Sequence, residues 1–207
     1  MLKGILRFGL LCIWITILYA ATCLSSEISA AGPTGQQLSS SNPIVYKLKP
    51  ERKDGRGYKI IYIVDARLDV FWKFKTDFDN QFLLSNKFIT SHRLIRRSRD
   101  EVFTASEYSN KPNAIFKWQT TLLPEQHLLK FILLNPEECG QKYHYGYIQL
   151  EALGSRTRVT QVAYFDFFGV SAWVNYPFYG GMSYFLKYTA NWEQQTILKL
   201  KHKYRKD

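Results

Sequence analysis

The spacing of apolar residues changes along the chain, and each change predicts a different element. Tyr58 to Val64 is rich in Ile, Val and Tyr and reads as a strand, which Asp65-Ala66-Arg67 then breaks. Leu68, Phe71, Trp72 and Lys75 recur at helical spacing, predicting a short amphipathic helix over Leu68 to Phe74 with Asp65 as its capping acid. Asp77 to Leu84 predicts a second helical turn or two. After Asn86 come strand-like runs at Phe88 to Arg97, Glu101 to Tyr108, Ala114 to Leu122, His127 to Leu134, Tyr143 to Ala152 and Arg156 to Phe167. The breaks at Arg99-Asp100, Asn110 to Asn113, Pro124-Glu125, Asn135 to Gly140 and Gly154-Ser155 are short and polar, as hairpin connections require. A meandering antiparallel sheet follows. Tyr176 to Lys203 then carries Phe178, Met182, Phe185, Thr189, Trp192 and Thr196 three and four residues apart, with Leu200 nearby, which predicts a long amphipathic helix. Pro177 suits its first turn, and Gly180-Gly181 would weaken it locally while letting the backbone approach a neighbour.

The N-terminal stretch has another texture. Lys3 and Arg7 precede an apolar run from Gly9 to Ala21, followed by small and polar residues through Ala31, the pattern of a secretory signal. The apolar run is shorter than the ~18 to 20 residues that span a bilayer, so a cleaved signal is expected rather than a permanent membrane helix. Cleavage could follow Ala20, Ala30 or Ala31. Membrane anchoring through an uncleaved signal or through lipidation at Cys23 is the alternative, although Ala20, Ala21 and Thr22 match a lipobox poorly. Gly32 to Gly57 is rich in Gly, Pro, Ser, Gln and Lys with few bulky apolar residues, and reads as a flexible tether. The expected organisation is a signal peptide at 1–31, a tether at 32–56 and one domain at 57–204, exported to the periplasm or secreted. A monomer is the expected state.

Strand, two short helices, six antiparallel strands and a long closing helix is an unusual order. Together with Val64-Asp65-Ala66, Val70-Phe71-Trp72 and Asp77-Phe78-Asp79 it resembles the SRPBCC superfamily, which includes START lipid-transfer domains, birch-pollen-allergen-like proteins, polyketide cyclases and ubiquinone-binding proteins. Arg67 stands where that pattern usually has proline. The resemblance covers about Gly57 to Lys203 and diagnoses a fold rather than a reaction. It implies an α+β helix-grip fold, a curved antiparallel sheet of about seven strands wrapped around the long C-terminal helix, with a mostly apolar cavity between them.

Aromatic residues make up 16% of the chain, enough to line such a cavity. The candidates for ligand contact are Phe103, Phe116, Trp118, Tyr145, Tyr147 and Phe165 on the strands, and Tyr179, Tyr184 and Phe185 on the helix; Phe167 and Trp192 belong to the same group. Rings are also what a close-packed interior uses to fill space. The resemblance therefore implies a binding or carrier protein for a lipid, quinone, sterol-like or polyketide-like molecule. The alternative is a small cyclase or aromatase-type enzyme, for which Tyr145, Tyr147, Gln149 and Asp166 are the polar groups to inspect. Strand alternation puts Asp166 opposite Phe165 and Phe167, facing solvent if those rings face the cavity.

Other chemistry is poorly served. His92, His127, His144 and His202 are scattered, without the paired spacing of zinc hydrolases. Cys139, His144, Glu137 and Glu138 are too few soft ligands for a tetrahedral site. No nucleophile elbow, phosphate-binding loop or dinucleotide fingerprint occurs in a suitable context, and no cofactor is implied. Cys12 lies in the signal and Cys139 is the cysteine deep in the domain, so its core rather than a disulfide framework must hold the fold. Of 28 basic and 17 acidic residues, removing Lys3, Arg7 and Glu27 leaves 26 and 16, a formal charge of +10. Arg93 to Arg99 and Lys199 to Lys206 concentrate it, which outside the cytoplasm suits anionic lipid head groups rather than nucleic acid, or simply a solvated surface.

Overall fold

Strand hairpins joined by short polar turns build most of the chain. The computed structural model describes residues 42–50, 54–109, 111–168 and 181–205, all within one unit, Gly35–Asp207. The expected signal, Cys23, part of the tether and the predicted helix start at 176–180 lie outside the described residues.

Among the described residues eight strands form one antiparallel sheet: β1 (Ile44–Leu48), β2 (Arg56–Val64), β3 (Ile89–Arg97), β4 (Glu101–Tyr108), β5 (Lys111–Leu123), β6 (Leu128–Leu133), β7 (Gln141–Leu153) and β8 (Arg156–Phe167). Their order is β1-β2-β8-β7-β6-β5-β4-β3, so every neighbour except the β2–β8 pair is also a sequence neighbour. Between β2 and β3 lie α1 (Leu68–Lys75) and a 3-10 turn (Gln81–Ser85); α2 (Gly181–Tyr204) closes the fold. This is the expected helix-grip arrangement with one strand more.

The extra strand is β1, which falls inside the stretch expected to be a tether. Ile44 to Leu48 pairs with Gly57 to Ile61, and Val45 packs against the main core. A five-residue edge strand among Gly, Pro and Ser leaves little periodic signal. Two local expectations also change. The residue capping α1 is Arg67, with no side-chain cap; Asp65 instead lies 3.7 Å from Lys201 on α2. The second helical stretch is only the 3-10 turn, in which the Phe82 amide donates to the Asn80 side chain.

The parity of each strand decides what it buries. On β8, Val159, Ala163, Phe165 and Phe167 face the helices, whereas Tyr164 stacks with Tyr145 on the opposite face. Gly146 sits mid-sheet between Phe131 and Ala163 in the cross-strand register. A Cβ there would come within 2.0 Å of the Val162 carbonyl oxygen and 2.7 Å of Phe131 Cζ. Only glycine permits that approach, so the close packing of Phe131 across β7 depends on it.

Among the described residues the apolar interior is divided into three clusters. The largest joins β2, β7, β8, α1 and α2 around Phe71, Val159, Phe165 and Ile197. A second holds Ala114, Phe116, Leu133 and Cys139, and a third Val102, Leu122 and Leu129.

Replacing Gly146 by alanine should therefore destabilise the domain by about 2 to 3 kcal/mol, at the upper end of overpacking costs. Urea unfolding of Gly146→Ala checks this; an unchanged midpoint would remove the role given to the glycine.

Candidate functional site

Between the three clusters lies a cavity of about 310 Å³. Its walls come from α1, the 3-10 turn, α2 and the inner face of β3 through β8. On the helical side Phe82 stacks on Phe74 at 4.8 Å and on Trp192 at 6.1 Å, and Trp192 Nε1 donates to Ser85 Oγ at 3.0 Å. Phe88 packs against Phe185 at 5.1 Å and Tyr188 at 4.8 Å. On the sheet side His144 sits among Trp118, Phe131 and Phe165, with ring centroids 5.0, 6.2 and 5.3 Å away. On the sheet side the small Ala163 of β8 forms part of the wall, flanked by Phe131 and Phe165.

Of the sequence candidates, Trp118, Phe165 and Phe185 line this cavity, as does Trp192. Phe116 is buried beneath Tyr108, its ring 4.9 Å away in a T-shaped contact, and is not part of the lining. Phe167 backs Phe165 from the same side. Phe103 lies on the outer face under the Arg96 guanidinium, 4.3 Å from its ring centre. Tyr145 belongs to the outer tyrosine row with Tyr143 and Tyr164, and Tyr147 is exposed. Tyr184 points outward to Lys87, 3.1 Å from its hydroxyl; Tyr179 lies outside the described residues. None of the four polar groups singled out for catalysis lines the cavity. Gln149 bonds the Gln126 carbonyl at 2.7 Å. Asp166 is on the face opposite Phe165, as alternation requires, but it is buried rather than solvated. One carboxylate oxygen accepts from the Phe167 amide and the other lies 2.7 Å from Lys142 Nζ.

The ionisable groups that do reach the cavity were not anticipated. Lys75, the last residue of α1, places Nζ 2.6 Å from Glu193 Oε1, with only 12% and 7% of the two side chains exposed. The Tyr62 hydroxyl from β2 donates to Glu193 Oε2 at 2.5 Å, and burial beside this carboxylate pushes the Tyr62 phenol well above its usual pKa. Glu193 thus joins both helices to the sheet. His92 Nδ1 is 2.9 Å from Ser106 Oγ and its Nε2 2.9 Å from the Phe78 carbonyl, so Nε2 carries the proton and the serine hydroxyl can donate to Nδ1. Desolvation lowers the His144 imidazole to about 3 from the usual 6.5, so it is neutral; its Nδ1 meets Gln141 Oε1 at 3.1 Å. Asp77 accepts from Tyr204, Lys203 and Asn80, which hold its carboxyl below the usual range against the opposing effect of desolvation. Cys139, whose thiol burial raises to about 11, has no metal-ligand cluster around it; among the described residues none exists.

Glu193 was legible in principle. It occupies the buried register of α2, between Ala190 and Ile197, but a carboxylate in an apolar stripe disguises the stripe. His144 could have been placed by parity once its neighbours Tyr143 and Tyr145 were seen to face outward.

No protein-family model matches the chain, and no curated protein matches it. Solved structures do. The chain is similar to the ZhuI aromatase/cyclase from Streptomyces sp. R1128, with a TM-score of 0.56 and 12% identity over 71% of this chain and 96% of that one. It is similar to norcoclaurine synthase from Thalictrum flavum, with a TM-score of 0.53 and 11% identity over 76% and 88%. It is also similar to a STAR-related lipid transfer protein from Xanthomonas axonopodis, with a TM-score of 0.53 and 13% identity over 73% and 95%. At these identities the likeness is one of fold. The fold is thereby the START-like helix-grip fold of these structures.

Two outcomes follow from the buried charges. Lys75→Met should cost about 3 to 5 kcal/mol because it strands Glu193, whereas the double change Lys75→Met with Glu193→Leu should recover most of that loss. Denaturant titration of both proteins checks it. Because His144 is neutral in the fold and protonates freely when unfolded, its contribution is complete above pH 6.5 and is lost as the pH falls toward about 3. His144→Phe should therefore lose less stability than the parent between about pH 7.5 and about pH 4.5, read from urea midpoints.

Proposed function

We propose that this chain is an exported binding or carrier protein that holds a hydrophobic small molecule, of the lipid, quinone, sterol-like or polyketide-like kind, between its sheet and its C-terminal helix. The carrying observation is the cavity itself. An interior able to close would cover its apolar side chains by packing, yet here Phe82, Phe88, Phe131, Phe165, Leu186 and Trp118 surround open space. Its 310 Å³ falls at the lower end of the ~300 to 1,000 Å³ usual for small-molecule sites, which suits one compact guest. The START-like fold supports this reading, since one structural neighbour is described as a lipid transfer protein. The N-terminal signal pattern supports export, and the basic segments Arg93 to Arg99 and Lys199 to Lys206 support an encounter with anionic head groups.

A second reading, a small cyclase or aromatase-type enzyme using the same cavity, draws on Lys75 and Glu193 at its wall. Their mutual pairing argues against it, because each group's charge is already spent on a structural partner.

Native mass spectrometry and solvent extraction of the mature domain, purified from its own envelope fraction, should find a stoichiometric apolar passenger. Ala163→Phe, which fills the floor of the cavity, should abolish both the passenger and hydrophobic-dye binding while the domain stays folded by circular dichroism. A protein that carries nothing and binds no dye would overturn the carrier reading.

A further inference from the structure

The polar inventory of the cavity narrows the chemistry of its guest, and this step rests on the binding function proposed above. Among the described residues, the lysine and the carboxylates at the wall are already matched. Lys75 and Glu193 neutralise each other at 2.6 Å, and the second oxygen of Glu193 accepts from Tyr62. Asp77 is held by Lys203, Tyr204 and Asn80. Both imidazoles at the wall are also engaged. His92 uses both ring nitrogens on Ser106 and Phe78, and His144 is kept neutral by its aromatic surroundings.

What remains open is neutral. Thr104 and Thr120 are more than nine-tenths buried and line the cavity from β4 and β5, and their side chains make no hydrogen bond to another described residue. The Gln161 amide on β8 lines the same space without a described partner. Across from them on α2, Thr189 Oγ1 is buried and unpaired. A buried hydroxyl or amide without a partner costs stability until something supplies the hydrogen bond. These groups give and accept hydrogen bonds but carry no charge.

We propose that the cavity selects an electrically neutral, oxygen-bearing apolar molecule, an alcohol or ketone on a compact hydrocarbon frame, over a carboxylate, a phosphate, an amine or a bare hydrocarbon. An anionic or cationic guest would be stripped of water with no unpaired opposite charge to receive it. A pure hydrocarbon would leave the threonine hydroxyls and the glutamine amide unsatisfied.

The test uses four probes on one frame, with delipidated mature domain at neutral pH: 2-acetonaphthone, 2-naphthoate, 2-naphthylmethylamine and 2-ethylnaphthalene. Each is titrated by displacement of a neutral fluorescent dye. The ketone should bind about tenfold or more tightly than the carboxylate or the amine, the margin expected when a charge is desolvated unpaired. It should exceed the hydrocarbon by a smaller factor of about three to ten, the worth of one or two buried hydrogen bonds. The isosteric Thr104→Val/Thr120→Val protein should lose the preference for ketone over hydrocarbon while binding the hydrocarbon at least as well, which also shows that its cavity is intact. Equal or tighter binding of the carboxylate or the amine would overturn the selectivity and leave the carrier reading standing. Dye binding with an unchanged ketone preference in the double variant would overturn the role of the threonines. If neither the dye nor any probe binds, both this inference and the carrier reading fail.

Discussion

A single carboxylate fastens this domain together. Glu193 accepts from Tyr62 on β2 and from Lys75 at the end of α1, and it does so from the middle of the helix that closes the fold. The two short elements that follow β2 could otherwise pack in several ways, because apolar contact has no preferred direction. Directional bonds at one buried point fix the rotation of α2 and the position of α1 together. Lys75 is well placed for this, since a cation at the last turn of a helix is favoured by the helix dipole. The arrangement trades part of the gain from hydrophobic burial for a defined geometry, and that geometry holds a space open.

The space has a second cause in the sheet. Phe131, Gly146 and Ala163 follow one another across β6, β7 and β8, so the inner face is low at Ala163 and high at Phe131. Phe131 lies across the glycine, and the small Ala163 leaves a floor over which the aromatic walls stand. The helices cannot descend into this hollow because Glu193, Tyr62 and the Asp77–Tyr204 bond hold them at their ends and centre. Cavity and clamp are therefore parts of one design, with small residues below and fixed polar contacts above.

Much of this architecture can be read from the residues, and the places where it cannot are instructive. The hairpins are legible because strand-forming runs are separated by short polar turns, most of them carrying Asn, Pro or Gly; β4 and β8 have their expected limits. The edge strand β1 is hidden, since five residues in a polar, Gly- and Ser-rich context resemble any linker. Which aromatic residues meet the cavity is a question of parity, and a strand with rings on both faces, such as Tyr143, His144, Tyr145 and Tyr147, gives no local clue to which face is inside. Trp118 and Phe165 on the strands and Phe185 on the helix do line the cavity, but size does not distinguish them from Phe103, Phe116 or Tyr145, which do not. Glu193, Lys75 and Gln161 were missed because their value comes from partners more than a hundred residues away or from a space that exists only once the sheet has curved.

The division of the interior into three clusters changes how the stability of this chain should be understood. A continuous core has a stability set by sequence and temperature. An interrupted one also depends on its chemical surroundings, because any molecule that enters the gap and not the unfolded chain shifts the folding equilibrium by mass action. The melting temperature of this domain would then report the supply of its guest, and its survival against proteases would rise and fall with that supply. Empty and filled protein would share one sequence and one backbone yet have different lifetimes.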